Sequence, residues 1–543
     1  VPLEPVAPGK EGKALWRVRG ERATSGLKLV ASLGEGGADQ ELGLLLAPKL
    51  ADLRLSSDQM AVMKGDKLVV RLMAKNSGTS ALVTSAARLE LPKGLTARLL
   101  SERGIVSAGD EGVAATWEVT AGASLPLARL KGTLAGQEEI AATTIAVPEK
   151  LPPVLGELGA VYALESDGAL AIGTDKARLV IAKQSAGYGF GALEARTAAG
   201  WQRMALLPRL GLIAGKTEQV LFAQTATCSQ RGDTARAVLR GHAVIDGVTW
   251  QARWELSATR GEDTIGFSVQ VAPDRLTSVA AFEGPMLYAG EGLLEREDAL
   301  LPGLEWLVKG EESSNSLDIV PEHPDRIRDV PHPYKVTVPA VGMRFGDSAV
   351  GLLWDVPPYQ PSYEVAGAAS LVFSSPNRLE GQPNHLMGLL LPAVGKGLDE
   401  NKTRATEPLQ VAAGEVLGLK AELLAVGQAS DSLVALDRWY GEHGFPEPLP
   451  FPRGDAAGET AFSLGGYFKD RALWNPEWNL WYSDLIVGFS PTAGPATELL
   501  YGAKLLGEGP VADEARALAA EVLKGDERSR ELALEYRPST GEL

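Results

Sequence analysis

The chain of 543 residues is too long for a single hydrophobic core, and its 45% apolar and 22% charged residues are ordinary for a globular protein. A net charge of −16, from 53 basic against 69 acidic side chains, argues against nucleic acid or an anionic membrane surface as a partner. Cys228 is the only cysteine, so no internal disulfide is possible, and no apolar run approaches the roughly 18 residues that span a bilayer.

The chain opens at VPLEP without a basic-then-apolar leader, so any signal peptide is expected to have been removed. The first 150 residues contain a repeat. PGKEGKALWRV, from Pro8, matches AGDEGVAATWEV, from Ala108, and aligns Trp16 with Trp117. Downstream, LKLVASLGEGGADQELGLLLAPKL mirrors LARLKGTLAGQEEIAATTIAVPEKL and aligns Pro48 with Pro148. The spacing, about 100 residues, is that of one β-sandwich. The second copy is complete: MKGDKLVVRLMAKNSGTSALVTSAARLELPKGL gives short alternating strands between Lys-Gly-Asp and Asn-Ser-Gly turns. Residues 1–48 therefore read as the C-terminal half of a sandwich and 49–150 as a complete one. The second copy resembles the Ig-like modules of secreted bacterial carbohydrate enzymes, including those attached to α-galactosidases. The likeness rests on its G-D-x-[LV]-x-V start, N-S-G-T turn, E-L-P-x-G-L and closing W-E-V.

From Leu151 onward, segments such as ARLVIAK, TWQARWELSA, TIGFSVQVA, AVGLLWDV and HLMGLLLP recur with almost no helical period, which predicts a large antiparallel β region over 151–428. Its size resembles a galactose-mutarotase-like supersandwich. After Gln428 the pattern turns helical. SDSLVALDRWYGEHG, with Leu433, Leu436, Trp439 and Tyr440 on one face, is expected to stop at Gly441 or Gly444. The proline-rich FPEPLPFPRG follows, then the helical ETAFSLGGYFKDR. PATELLYGAKLLGEG and PVADEARALAAEVLKG read as a hairpin of helices, each entered through proline and closed by glycine. RSRELALEYRPSTGEL trails off without a cap.

This order resembles that of six-hairpin glycosidases, and the phrases PGLEWL, VPHPYKVTVP, VGLLWD and SPNRLEGQPNHLMGLLLP are similar to those of uncharacterised secreted bacterial members. The fold class expected is multidomain and mainly β: Ig-like sandwiches, a supersandwich, and over 429–543 a linker helix with the first hairpins of an α/α toroid. A full toroid of twelve helices needs about 200 residues or more, so the chain is expected to be cut at both ends.

Two stretches are candidate sites. RALWNPEWNLWYSD gathers Trp474, Trp478 and Trp481 beside Tyr482 and Asp484. Pro476 opposes a helix here because it pushes Asn475 toward extended geometry, so a loop is expected. Indole faces stack on pyranose C–H faces, and Asn475, Asn479 and Asp484 offer partners for hydroxyls; packing is the competing role. Trp478, Trp481, Tyr482 and Asp484 are the residues chosen for ligand contact, with Trp474 assigned to packing. The polar loop from Glu311 to Pro333 adds His323, Arg326 and His332 as a possible wall of a sugar cleft, the alternative being a plain surface loop. Glu311, Asp318 and Glu322 would suit calcium, yet no metal-binding spacing is present and no cofactor is expected.

Glycosidic hydrolysis requires two carboxyl groups. Asp470, Glu477 and Asp484 lie nearest the tryptophans but read as solvated helix ends, so no acid or base is assigned. No dinucleotide fingerprint, Walker loop, nucleophile elbow or C-x-x-C occurs. The expectation is a secreted or cell-surface bacterial carbohydrate-active protein, part of a glycoside hydrolase, with carbohydrate as its partner and no membrane insertion. The alternative is a non-enzymatic glycan-binding or cell-surface structural protein.

Overall fold

The computed structural model describes residues 24–31, 40–46, 49–166, 168–208, 210–314, 329–356, 368–394, 400, 403–405, 407–445, 450–469, 474–482 and 491–534. The protein is mainly β, with its strands in antiparallel sheets and its helices near the C-terminal end. Two compact units are present, residues 1–444 and 445–543.

The strands Thr24–Ala31 and Gln40–Leu46 form an antiparallel pair, with Leu29 opposite Leu42. Their counterparts in the repeat, Leu125–Thr133 and Ile140–Val147, pair the same way, with Leu130 opposite Thr143. The second copy is a sandwich. One sheet runs Leu50–Ser57, Lys67–Asn76, Glu111–Ala121, Leu95–Glu102, and the other Ile140–Val147, Leu125–Thr133, Arg88–Glu90. Val70, Leu72, Trp117, Val119 and Leu130 fill the space between them. Alternation along Lys67–Asn76 produces this core, since every second side chain points inward.

Residues 161–426 build two larger sheets, of eleven and nine strands, around one core. In the nine-stranded sheet, Val248–Thr259 sends Trp250, Ala252, Trp254, Leu256 and Ala258 inward. In the eleven-stranded sheet, Ser370–Ser374 and His385–Leu391 are buried on both faces. Met387 and Leu389 face the other sheet, whereas Leu386 and Leu390 meet Met60 and Ala146 of the smaller sandwich. Burial on both sides explains the continuous apolar run HLMGLLL.

The loop 376–384 joins the two sandwiches. Ser57 donates its N–H to the Gly381 carbonyl at 2.9 Å, Thr144 donates to Glu380 at 3.1 Å, and the Gln382 amide donates to the Thr144 carbonyl. Gly381 has φ +62°, and a Cβ there would overlap the Leu55 carbonyl. A second tie is Arg178, fully buried on the eleven-stranded sheet. It donates to Glu194 at 2.6 Å and to the carbonyls of Leu155 and Gly156 at 2.9 Å, so the connecting segment lies against the sheet.

Helix α1, Val434–His443, belongs to the first unit. Its Ala435 packs on strands Ala340–Phe345 and Ser348–Trp354 where Gly342 and Gly351 leave room, and Gly444 ends it by donating to Tyr440. The second unit holds α2 (Ala456–Lys469), α3 (Gly494–Leu506) and α4 (Pro510–Leu534). Proline enters α3 and α4 and Gly507 closes α3, as the sequence implies. Gly525 was expected to close α4, but the helix continues through it to Leu534. The glycine serves a different purpose: a Cβ there would overlap the Trp478 carbonyl, so Gly525 lets the tryptophan segment approach the helix backbone.

Gly381→Ala is expected to destabilise the first unit by at least about 2 kcal/mol, since it adds both positive-φ strain and overlap with Leu55. An unchanged denaturant midpoint would show that the close approach of the two sandwiches is not needed.

Candidate functional site

At one end of the large sandwich a cleft of about 410 Å³ opens between the sheets. Thr197, Ala198 and Ala199, at the hairpin between strands Gly187–Thr197 and Gly200–Leu207, form one wall, with Gln202 beside them. The turn from Phe345 to Ser348, between two strands of the other sheet, faces it. Leu294 and Glu295 add a third side, and Gly427 and Gln428 close the fourth. The Ser348 hydroxyl lies 3.3 Å from Gln202 Oε1 and 3.4 Å from the Gly427 carbonyl, which links the sheets at this end. A Cβ on Gly427 would overlap the Arg196 carbonyl, so glycine sets how closely they meet. Small residues at the tips leave the space open, while amide, hydroxyl and carboxylate groups line it. Such a cavity has the size and polar fittings of a small-ligand site.

Against Phe345, one of the lining residues, lies a buried polar cluster. Ser375 Oγ and His385 Nδ1 are 2.8 Å apart and close the base of the loop 376–384. The His385 ring is tilted against Phe345 at 5.6 Å. Burial, reinforced by the positive charge of Arg296, pushes the His385 pKa down to about 4, so the ring is neutral at pH 7. Ser375 and Ser313 exchange backbone and hydroxyl contacts: the Ser313 N–H donates to the Ser375 carbonyl at 2.8 Å, and the Ser375 N–H donates to Ser313 Oγ at 2.9 Å. Asn384 donates to Gln382 Oε1 at 2.7 Å. Sequence reasoning singled out SPNRLEGQPNH only as a phrase. Its density of Pro, Asn and Gln ahead of an apolar strand was the available signal of a buried polar loop.

The sequence-selected residues fall elsewhere. Trp474–Asn475 and Leu480–Tyr482 pair as a small β-hairpin, with Trp474 opposite Trp481. This agrees with the non-helical reading of Pro476. Trp481 is only 6% exposed, and its ring meets Trp474 at 4.4 Å and Tyr467 at 5.5 Å in edge-on contacts. The indole chosen for ligand contact is therefore a core residue of the second unit, because cross-strand pairing turns it inward beside Leu464 and Leu499. Trp474 packs against the same core, as assigned. Trp478 is half-buried there. Asn475 Oδ1 accepts the N–H groups of Glu477 at 2.9 Å and Trp478 at 3.2 Å, so it fixes the turn.

Asp484, His323 and Arg326 lie outside the described residues, as does the Tyr482 side chain. His332 caps a short turn at Pro333–Lys335 by accepting the Tyr334 N–H on Nδ1 at 3.2 Å, and its own N–H donates to Glu400 at 2.9 Å. Of the calcium candidates, Asp318 and Glu322 are outside the described residues, and Glu311 Oε2 accepts the Val308 N–H at 2.9 Å. Among the described residues no three His, Cys, Asp or Glu side chains gather as a metal site. No described helix is long and apolar enough to cross a membrane. Trp306, on the strand Glu305–Val308 at the edge of the nine-stranded sheet, is the one solvent-exposed tryptophan among the described residues, at 70%.

No protein-family model matches the chain, and no curated protein matches it in sequence. Among solved structures, the galactosidase domain of an α-galactosidase–sucrose kinase is similar at a TM-score of 0.31 and 12% identity, over 51% of this chain and 43% of that one. An α-mannosidase from Enterococcus faecalis is similar at 0.29 and 7%, over 72% and 44% respectively. A galactose mutarotase-like protein from Lactobacillus casei is similar at 0.27 and 12%, over 49% and 99%. The structural neighbours thus include carbohydrate-active and mutarotase-like proteins, at low similarity, and this chain spans less than half of the two glycosidases.

Two outcomes follow from this geometry. The unfolded chain protonates His385 near 6.5 and the folded chain only near 4, so the unfolded state binds more protons between those values. Stability is expected to fall by up to roughly 3 kcal/mol on acidification across that window, and His385→Gln to remove the effect. Equal pH slopes for both proteins would refute the buried-neutral assignment. Trp481→Ala is expected to destabilise the helical unit by about 3–5 kcal/mol, well beyond the effect of Trp478→Ala. Thermal melts followed by circular dichroism measure the difference.

Proposed function

We propose that this chain binds glycan through the cleft at the end of its large sandwich, as part of a secreted bacterial glycoside hydrolase. The observation that carries the reading is the cleft itself, about 410 Å³ and lined from both sheets by hydrogen-bonding groups. Thr197, Gln202, Ser348 and Gln428 suit sugar hydroxyls, which need both donors and acceptors. The resemblance of residues 51–149 to modules of carbohydrate enzymes supports the same substrate class. The overall acidity of the chain is compatible with an uncharged polymer as partner.

Chemistry at this cleft would have to come from Glu295 and Asp347, the carboxylates on its rim. Glu295 is held by Lys309 at 2.9 Å in an exposed pair. A second reading, a non-enzymatic glycan-binding surface protein, is favoured by Trp306. Its indole stands exposed on an edge strand, where a sugar ring can stack.

Neutral oligosaccharides titrated calorimetrically into the protein are expected to bind in the millimolar range or tighter, and Gln202→Ala to weaken them by roughly tenfold, equivalent to one lost hydrogen bond. Release of reducing ends that disappears in Asp347→Asn would favour the hydrolase. Binding without release, weakened by Trp306→Ala and not by Gln202→Ala, would favour the second reading. Absence of any sugar binding would remove both.

A further inference from the structure

One ion pair ties three walls of the cleft together. Asp298 opens the strand Asp298–Leu301 shortly after Glu295, and Arg344 directly precedes the turn from Phe345 to Ser348. The Arg344 guanidinium brings Nε and Nη2 to Asp298 Oδ2, each at 2.6 Å, and donates from Nη1 to the Gly346 carbonyl at 2.7 Å. Asp298 Oδ1 accepts the Ser432 N–H at 2.6 Å, on the stretch that follows Gln428. That stretch is joined to the turn again where the Ala429 N–H donates to the Asp347 carbonyl at 2.7 Å. The two paired side chains are 22% and 13% exposed, so solvent screens their charge-assisted bonds little.

Ser432 also leads into helix α1. A Cβ on Gly342 would overlap the Ser432 carbonyl, and Ala435 fills the space that Gly342 and Gly351 leave. Helix α1 is the last element of the first unit, which ends at Gly444. The Asp298 carboxylate thus serves a cation that fixes one cleft wall and a backbone N–H that fixes the root of α1. Lifting the helix would withdraw that N–H, leave a largely buried carboxylate oxygen unsatisfied and pull Gly427 and Gln428 away from the turn.

We propose that the Asp298–Arg344 pair is the positioning element of the cleft, and that through it glycan binding and the seating of α1 form one coupled equilibrium. The inference rests on the glycan-binding reading and names how that same site is regulated. A ligand held between the turn and Gln428 favours the arrangement in which both are drawn to Asp298, and α1 is seated in that arrangement. Reciprocally, unseating α1 loosens the turn. Lysine at position 344 lacks the fork that serves Asp298 and Gly346 together.

Hydrogen exchange on the full chain reads the coupling without any ligand. Ala435→Leu overfills the space above Gly342 and Gly351. It is expected to speed exchange about tenfold or more in α1, at 345–348 and at 427–432, and to leave the smaller sandwich unchanged. In an Arg344→Lys background the same substitution is expected to act on α1 alone. Faster exchange confined to α1 in both backgrounds, or spreading equally to the turn in both, would overturn the role of the pair. Should Ala435→Leu not fold, Asp298→Asn replaces it and must speed exchange in the same three segments. Galactobiose and mannotriose, titrated calorimetrically, supply the ligand arm. A sugar that binds is expected to slow exchange in α1, and to bind Arg344→Lys about tenfold more weakly without slowing α1. Slowing limited to 345–348 and 427–428 would overturn the coupling and leave the glycan cleft standing. If neither sugar binds, the glycan reading falls, and exchange in the variants alone decides whether the pair positions the cleft walls and α1.

Discussion

The loop between Ser375 and His385 is the constraint on which the first unit depends. Its outer side offers backbone groups to the smaller sandwich, with Gly381 seated against the Leu55 carbonyl and Gln382 reaching Thr144. Its base is closed by the Ser375–His385 contact inside the large sandwich. One short segment therefore satisfies polar groups of two cores at once. That explains its composition: apolar side chains would leave those backbone groups unpaired, and a Cβ at position 381 would separate the sandwiches.

The electrostatics of the large sandwich follow from how each buried charge is met. Arg178 and Glu194 form a pair whose remaining nitrogens are satisfied by the connecting segment, so the charge is used to hold that segment on the sheet. Glu291 shows the strain near the same place. It has φ +51°, and burial raises its pKa despite Arg203 at 3.5 Å. Arg296 is met less completely: Asp298 and Glu311 lie close enough to act on its charge, and of its guanidinium nitrogens only Nη2 has a hydrogen-bond partner.

Aromatic residues divide by the same logic. Trp474 and Trp481 cover one another across a hairpin and bury the floor of the helical unit, with Gly525 allowing α4 to come close. Trp306 finds no cover because its neighbour Leu307 occupies the inward side of the strand. Clustering in sequence marked the first group; it was exposure, a tertiary property, that distinguished the second.

Much of the architecture was legible because periodicity is local. Alternation in TWQARWELSA, the apolar run HLMGLLL and the proline-entered helices all reappear as strands and helices at those positions. The turn role of Pro476 was also readable, since it depends only on the residue before it. The cleft was not readable: its walls come from residues near 197, 295, 347 and 428, which share no motif and meet only when the two sheets pack. Nor were the neutral His385 and the partly unpartnered Arg296, because burial and partnership belong to the environment and not to the residue type. The sequence alone thus determined a mainly β, multidomain chain with a helical end. Tertiary structure decided which tryptophan is core, which glycine is a contact and which arginine is only partly satisfied, because each depends on what the fold places beside it.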